Sequence, residues 1–207
     1  MKRLFEMKGQ INIFVALFLM IVLAGVSVVI ILSYNGLVTA DKSVQEGKAQ
    51  IEVACQRRLD LIPNLIKTVK ASMAHERTTL EAVTKARTKA MEVLNHTKNK
   101  KVLTKEDLGA LDTSQAQLFR AAGGLFLVVE NYPNLKASMN LLALQDQFEG
   151  TENRISVSRQ RYNMSVRTYN SKIEKFPGVF IAPLFGYGPR DFFVAKPEAL
   201  EPVNADY

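Results

Sequence analysis

The sequence predicts an all-α protein. An N-terminal transmembrane helix leads into an antiparallel four-helix bundle of long helices, and an irregular aromatic and Pro-rich C-terminal tail follows. Three observations predict this. No charged residue occurs between Lys8 and Asp41, and inside that gap Ile13–Leu32 is a run of 20 nearly all apolar residues. Between Asn35 and Pro177 only Pro63 and Pro133 interrupt the chain, whereas five of its seven prolines fall in the last 31 residues; so few breakers leave room for few, long helices. Leu141, Phe148, Ile155, Tyr162, Tyr169 and Phe176 recur every seven residues, the spacing of a seam between packed helices.

The first element is the anchor. At about 1.5 Å per residue its apolar run crosses a hydrocarbon core of about 30 Å, and a soluble core helix is seldom apolar all round. "LAGV" (Leu23–Val26) approaches a lipoprotein signal, but Val26 stands where a cysteine is required. "VTA" (Val38–Ala40) suits signal cleavage, yet the run exceeds a signal peptide's apolar region of roughly 7–15 residues. An uncleaved span over residues 11–33 is therefore expected, behind a short basic segment, 1–10. Lys2, Arg3 and Lys8 precede the span closely, with Glu6 among them, and Lys42 and Lys48 follow farther away. The positive-inside bias, by one residue, places the N-terminus in the cytoplasm and the main domain outside.

The bundle is expected over 34–176. Leu37, Val44 and Ile51 lie on one face of a first helix that ends near Arg58. Asp60 then suits an N-cap and Pro63 a first turn, so "LDLIP" (Leu59–Pro63) reads as a helix–helix corner, with Asn64 beside it a structural or interaction candidate. The alternative is one kinked continuous helix, because Leu59, Ile62, Ile66 and Val69 keep a stripe across Pro63. A second helix carries Ile66, Val69, Met73, Leu80, Val83, Ala90 and Leu94 and stops at Asn95–Lys100. A third runs from Thr104, whose partner three residues on is Asp107, to Asn131. Gly123 and Gly124 are poor helix formers and are expected to mark close approach of a neighbouring backbone; no GK[ST] follows them to make a phosphate loop. "NYPNL" (Asn131–Leu135) breaks the chain, and a fourth helix extends to about Lys175. The Pro- and aromatic-rich tail is 177–207, and its stretch Phe176–Phe193 is apolar and expected to be non-helical. Its aromatic residues need cover, from the bundle's own end first and from the lipid interface second.

Several polar residues fall on inward rows. Glu152 and Arg159 share a row with Val166 and Ile173, and Arg57 and Arg58 occupy a comparable register on the first helix. A network linking Arg57 or Arg58 to Glu149 or Glu152 is expected, since an unpaired buried charge is costly; solvation at the helix edge is the alternative. Tyr162–Asn163 and Tyr169–Asn170 repeat a "YN" pair at heptad spacing. They read as packing residues whose asparagines bond to another helix, with a ligand site as the lesser alternative. Cys55 is the single cysteine, which excludes an internal disulfide and a CxxC motif and fits a small core residue.

No catalytic constellation is legible, and no metal or cofactor is expected. His75–Glu76 opens like HExxH, but position 79 is Thr. His75 and His96 lie 21 residues apart with no cysteine beside them. Glu149 and Glu152 form an ExxE pair, but no ExxH accompanies it as in diiron bundles. The net charge is +7, and from Lys67 to Lys101 nine Lys or Arg face three acidic residues. That excess fits a solvated face, an acidic partner or anionic headgroups. Nucleic acid fits less well, because no Phe or Tyr lies there to stack on bases.

"SYNGLV" (Ser33–Val38), "RRLDLIPNLIKTVK" (Arg57–Lys70), "HERTTLEAVTKAR" (His75–Arg87), the stretch Phe148–Pro177 and "LFGYGPRDFF" (Leu184–Phe193) resemble the LemA family over nearly the whole chain. "VACQRR" (Val53–Arg58) is similar to its MamQ branch, which takes part in building magnetosome membranes. The resemblance implies a bacterial inner-membrane protein with one N-terminal span and a four-helix domain. It implies no enzyme, since the family has no assigned catalytic residues, and it points to a membrane protein partner, a membrane metalloprotease being a recurrent association. The expected function is thus a non-enzymatic scaffold touching the lipid bilayer through residues 11–33, with self-association left open. The alternatives are a carboxylate metal-binding or enzymatic bundle using Glu149, Glu152 and His75, and a MamQ-type magnetosome role.

Overall fold

The computed structural model describes residues 2–73 and 75–194, with side chains from Val15 onward. The basic flank of Lys2, Arg3 and Lys8 and the tail beyond Val194 lie outside the described side chains. The described residues form helices and no strand: α1 (Lys2–Lys70), α2 (Arg77–Lys98), α3 (Lys105–Val129), α4 (Pro133–Lys136), α5 (Met139–Glu174) and α6 (Gly178–Leu184). By their contacts they divide into two compact units, to both of which α1 and α5 contribute. One comprises Met1–Lys42 and Thr168–Pro189, the other Ser43–Arg167 and Arg190–Tyr207.

In the first unit, the apolar part of α1 is long and apolar enough to cross a membrane and has none of its residues buried. Beyond it, Leu37 is buried, as are Tyr169 and Ile173 of α5 and Ile181 of α6. Lys172 donates to the Gly36 carbonyl at 3.0 Å, so α5 lies beside α1 here. The expected irregular tail is corrected: Gly178–Leu184 is helical. Gly178 makes the turn possible, because a Cβ there would sit 1.9 Å from the Lys172 carbonyl oxygen. Phe176 is corrected as well. It continues the heptad in sequence, but α5 ends at Glu174 and leaves its ring 80% exposed.

In the second unit, α1 and α5 run antiparallel. Arg58 lies beside Thr151 and Gly47 beside Tyr162. A Cβ at Gly47 would stand 3.0 Å from Tyr162 Cα, so this is where glycine permits close helix approach. Gly123 and Gly124, to which that role fell on propensity alone, have no neighbour within 4 Å of such a Cβ. The core is Ile51, Leu59, Ile62, Leu65 and Val69 of α1, Val83, Ala90 and Leu94 of α2, Leu111, Leu118 and Leu125 of α3, and Leu141, Phe148, Ile155 and Tyr162 of α5.

The corner expected at Asp60–Pro63 is not there. Helix α1 continues through Pro63 to Lys70, as in the alternative reading, and Asp60 caps nothing. The physical reason lies on α2. Proline has no N–H to give the carbonyl four residues back, and Arg87 Nε donates to that Leu59 carbonyl at 3.1 Å. The chain turns instead between Lys70 and Arg77, where neither Gly nor Pro occurs, with the Ser72 and Met73 amides closing onto the Val69 carbonyl. The start of α3 follows the sequence reading: Thr104 is its N-cap and forms a reciprocal capping box with Asp107.

Candidate functional site

The most constrained polar group in the second unit is Arg58, which is fully buried on α1. Its guanidinium ties α1 to α3 and α5. Nε donates to Thr151 Oγ1 at 2.8 Å, Nη1 to the Gln115 carbonyl at 3.3 Å and Nη2 to Glu152 Oε2 at 2.5 Å. The Phe119 and Phe148 rings stack on each other with centroids 5.5 Å apart, and the guanidinium carbon stands 5.1 Å from one and 5.7 Å from the other. Burial lowers the pKa of this guanidinium, and its hydrogen bond and charge attraction to Glu152 oppose the fall. A buried cation is tolerable on these terms, with polar acceptors in the plane of the group and aromatic faces against it.

The arrangement separates residues that sequence could only group. Glu152 meets Arg58, with about half its side chain in solvent. Arg57 is exposed on the outer face of α1. Glu149 is also exposed, and accepts from Gln145 one turn back at 2.9 Å. Arg159 pairs with Asp112 of α3 at 2.5 Å and lies over the Phe193 ring at 5.5 Å. Neighbouring Cys55 is fully buried, and burial pushes its thiol up to about 12, against the pull of Arg159 and Arg58. Gln115, Thr151, Phe119 and Asp112 escaped the sequence reading. Nothing in one sequence distinguishes Gln115 or Thr151 from a surface residue on a long helix.

Three of the four "YN" residues, Tyr162, Asn163 and Tyr169, hold the tail. In the second unit, Asn163 forms two bonds with Phe193, its amide donating to the carbonyl and its Oδ1 accepting from the N–H, both at 2.9 Å. Tyr162 donates to the Asp191 carbonyl at 3.3 Å, and burial pushes its hydroxyl up to about 12. Asp191 in turn accepts from the Lys105 N–H at 3.1 Å. In the first unit, Tyr169 donates to the Gly188 carbonyl at 2.9 Å. Asn170 also has a partner. Asp60 accepts from Gln56 at 2.8 Å on the α1 surface, where Pro63 and Asn64 are exposed too.

Outside this interior, α1 and α5 border a groove of about 570 Å3. Val53, Val157 and Ala49 supply apolar lining, and Arg57, Arg154 and Arg161 supply charge, with Glu46 at one side. Val53 is 69% exposed. None of the three arginines has a hydrogen bond or ion pair among the described residues. A second groove on the other flank of α1 shares Val53 and Arg57 and extends to Asp60 and Asn64. The carboxylates of the alternative metal reading do not assemble with His75. Among the described residues, no group of three His, Cys, Asp or Glu side chains converges to hold an ion.

Comparison with known proteins bears on this geometry. The model of the LemA family matches residues 47–207, which include α2 through α6 and the Arg58 clasp. Two proteins of Paramagnetospirillum magneticum strain AMB-1, named Magnetosome protein MamQ 1 and MamQ 2, are each 27% identical over 188 residues, 84% of this chain and 69% of theirs. Magnetosome protein MamQ of Magnetospirillum gryphiswaldense strain MSR-1 is 24% identical over 210 residues, 95% of this chain and 77% of its own.

Proposed function

The chain belongs to the LemA family, and from that premise we propose that it is a non-enzymatic scaffold of the bacterial inner membrane. It is anchored once through residues 11–33, with its N-terminus in the cytoplasm and its helical domain outside. Its working surface is the α1–α5 groove, and the occupant is an acidic segment of a membrane protein partner. The observation that carries this is the set of guanidiniums, Arg57, Arg154 and Arg161, with no partner among the described residues, around exposed Val53. Arginine forks bind carboxylates bidentately, and apolar surface beside them supplies an anchor point that charge alone lacks.

Site-directed photocrosslinking in cells tests it, with a photoreactive residue at Val53 and a control at exposed Leu127 of α3. The expected result is a membrane-protein adduct at Val53, absent at Leu127 and lost when Arg57, Arg154 and Arg161 are changed to Glu. No adduct at Val53, or one indifferent to charge reversal, would refute the groove as the docking surface. A membrane-impermeant maleimide on Val53→Cys, in a Cys55→Ala background, tests the orientation. Labelling only after lysis places the domain on the cytoplasmic side and sinks that part. The second reading is a magnetosome role, favoured by relatives named magnetosome proteins whose matches cover most of the chain. It predicts that the tagged chain fractionates with magnetosome membranes; an even distribution over the envelope would oppose it.

A further inference from the structure

We propose that α6 and its flanks form a second membrane contact, lying in the lipid interface beside the anchor. The proposal rests on the reading of residues 11–33 as a membrane span. The first unit alone supplies the argument. From Phe176 to Pro189 the chain has no charged residue. Helix α6 buries Gly178, Ile181 and Ala182 on one side and leaves its other side apolar and open: Phe180 is 68% and Leu184 81% exposed. Phe176 precedes them at the same spacing of four and packs its ring on Phe180, centroids 6.3 Å apart. Val179 and Phe185 extend the patch. An apolar patch of this kind is seldom left in water.

Its position identifies the occupant. The apolar run of α1 ends at Leu32, and Tyr34 stands two residues beyond it. The Tyr34 ring packs on Phe185 with centroids 4.7 Å apart and on Tyr187 at 6.4 Å. The α6 end is thus pinned at the level where the span leaves the hydrocarbon. The interfacial layer is roughly 5–8 Å thick on each side and a helix is about 10–12 Å across with its side chains, so α6 lying flat in it turns its open apolar side to the acyl chains. Aromatic rings favour this level. Lys172, bonded to the Gly36 carbonyl at 3.0 Å, sets a cation just beyond Tyr34, where headgroup phosphates are reached. A lipid surface needs no further partner to cover the patch, and the anchor delivers α6 to it.

The chain contains no tryptophan, so one introduced tryptophan reports its own surroundings. Full-length Phe180→Trp, Phe18→Trp and Val53→Trp are reconstituted in phosphatidylcholine–phosphatidylglycerol vesicles, with and without brominated acyl chains. The expected result for Phe180→Trp is blue-shifted emission, at least twofold quenching by bromines near the headgroup end of the chain, and weak quenching by acrylamide. Val53→Trp should show the reverse pattern, and Phe18→Trp should be quenched best by deeply placed bromines. Full acrylamide access at Phe180→Trp would overturn the proposal, as would shielding from both acrylamide and bromine, which means protein covers the patch. In both cases a quenched Phe18→Trp leaves the anchor standing. Failure of deep bromines to quench Phe18→Trp would overturn the anchor and the proposal together.

Discussion

Truncating Arg58 should be the most damaging single change to the charges of the second unit. The side chain is fully buried, makes three hydrogen bonds and packs against two phenylalanine rings. Arg58→Ala removes all of this and opens a void, so a loss of about 3–5 kcal/mol is expected. Glu152→Ala is a different case. Half of the Glu152 side chain is in water, and Arg58 keeps Thr151, the Gln115 carbonyl and both rings; the expected loss is about 1–3 kcal/mol. Arg57→Ala should stay within about 0.5 kcal/mol, as for an exposed residue. Arg58→Met keeps an apolar stem against the rings and should recover part of the alanine loss, because well-packed apolar replacements of buried ion pairs are often tolerated. Thermal melts by circular dichroism on the detergent-solubilised full chain give the order. At about 2–4 °C per kcal/mol for this size, Arg58→Ala should fall by about 6–20 °C. A melting temperature within about 2 °C of the parent, or a larger loss for Glu152→Ala than for Arg58→Ala, would show that the clasp does not hold the fold.

Two further outcomes follow from the same geometry. Arg87→Met should cost about 1–3 kcal/mol by leaving the Leu59 carbonyl without a donor. In a Pro63→Ala background, where residue 63 regains its N–H, the cost should shrink by at least about 1 kcal/mol; additive losses in that cycle would show that the two sites are uncoupled. Asp107 is an acid-sensitive position. Burial raises its pKa, but Lys100 and the Thr104 amide and hydroxyl outweigh burial and hold it below the usual carboxylate value. A depressed folded pKa gives stability that is complete above the unfolded value and lost as pH falls through the folded one. Urea midpoints of parent and Asp107→Asn should therefore differ at neutral pH and converge in acid, and a gap that stays constant would refute the assignment.

What sequence revealed and what it hid divide along physical lines. The apolar span, the Thr104–Asp107 box and the heptads from Leu141 to Tyr169 are local patterns that need no partner to be recognised. The path of α1 through Pro63 is not local, because the group that relieves the proline is Arg87 on the next helix. The turn after Lys70 lacks Gly and Pro, and Met73 keeps the apolar stripe running across it, fully buried. The glycine that permits close packing is Gly47, whose neighbour Tyr162 lies 115 residues away, whereas the conspicuous Gly123–Gly124 pair meets nothing. At seven residues α6 is too short to display a helical period, and its proline and glycine disguise it. Among the charges, sequence named Arg58 and Glu152 but could not separate them from Arg57 and Glu149.

That last ambiguity resolves through helix geometry. Consecutive residues on a helix are about 100° apart, so of two adjacent arginines one can point inward and the other outward. Arg58 faces the interior and ties α1 to Thr151 and Glu152 of α5. Arg57 borders the groove with Arg154 and Arg161 of α5. The distance between the groove's cations therefore depends on the register of α1 against α5. A slip of one turn, about 5.4 Å, would part Arg58 from its acceptors. It would also bring Ser43 or Ile51 to Tyr162 in place of Gly47, where even a Cβ would meet Tyr162 Cα at 3.0 Å. Hydrogen bonding and steric exclusion thus select the same register. An array of cations held this way needs no ordering when an acidic segment arrives, which lowers the entropic cost of binding. The two arginines then separate by experiment: Arg58→Ala should weaken capture at Val53 by loosening the register and should lower the melting temperature with it. Arg57→Glu should weaken capture at an unchanged melting temperature, and a fall in both for Arg57→Glu would mean that the outer arginine, too, is part of the fold.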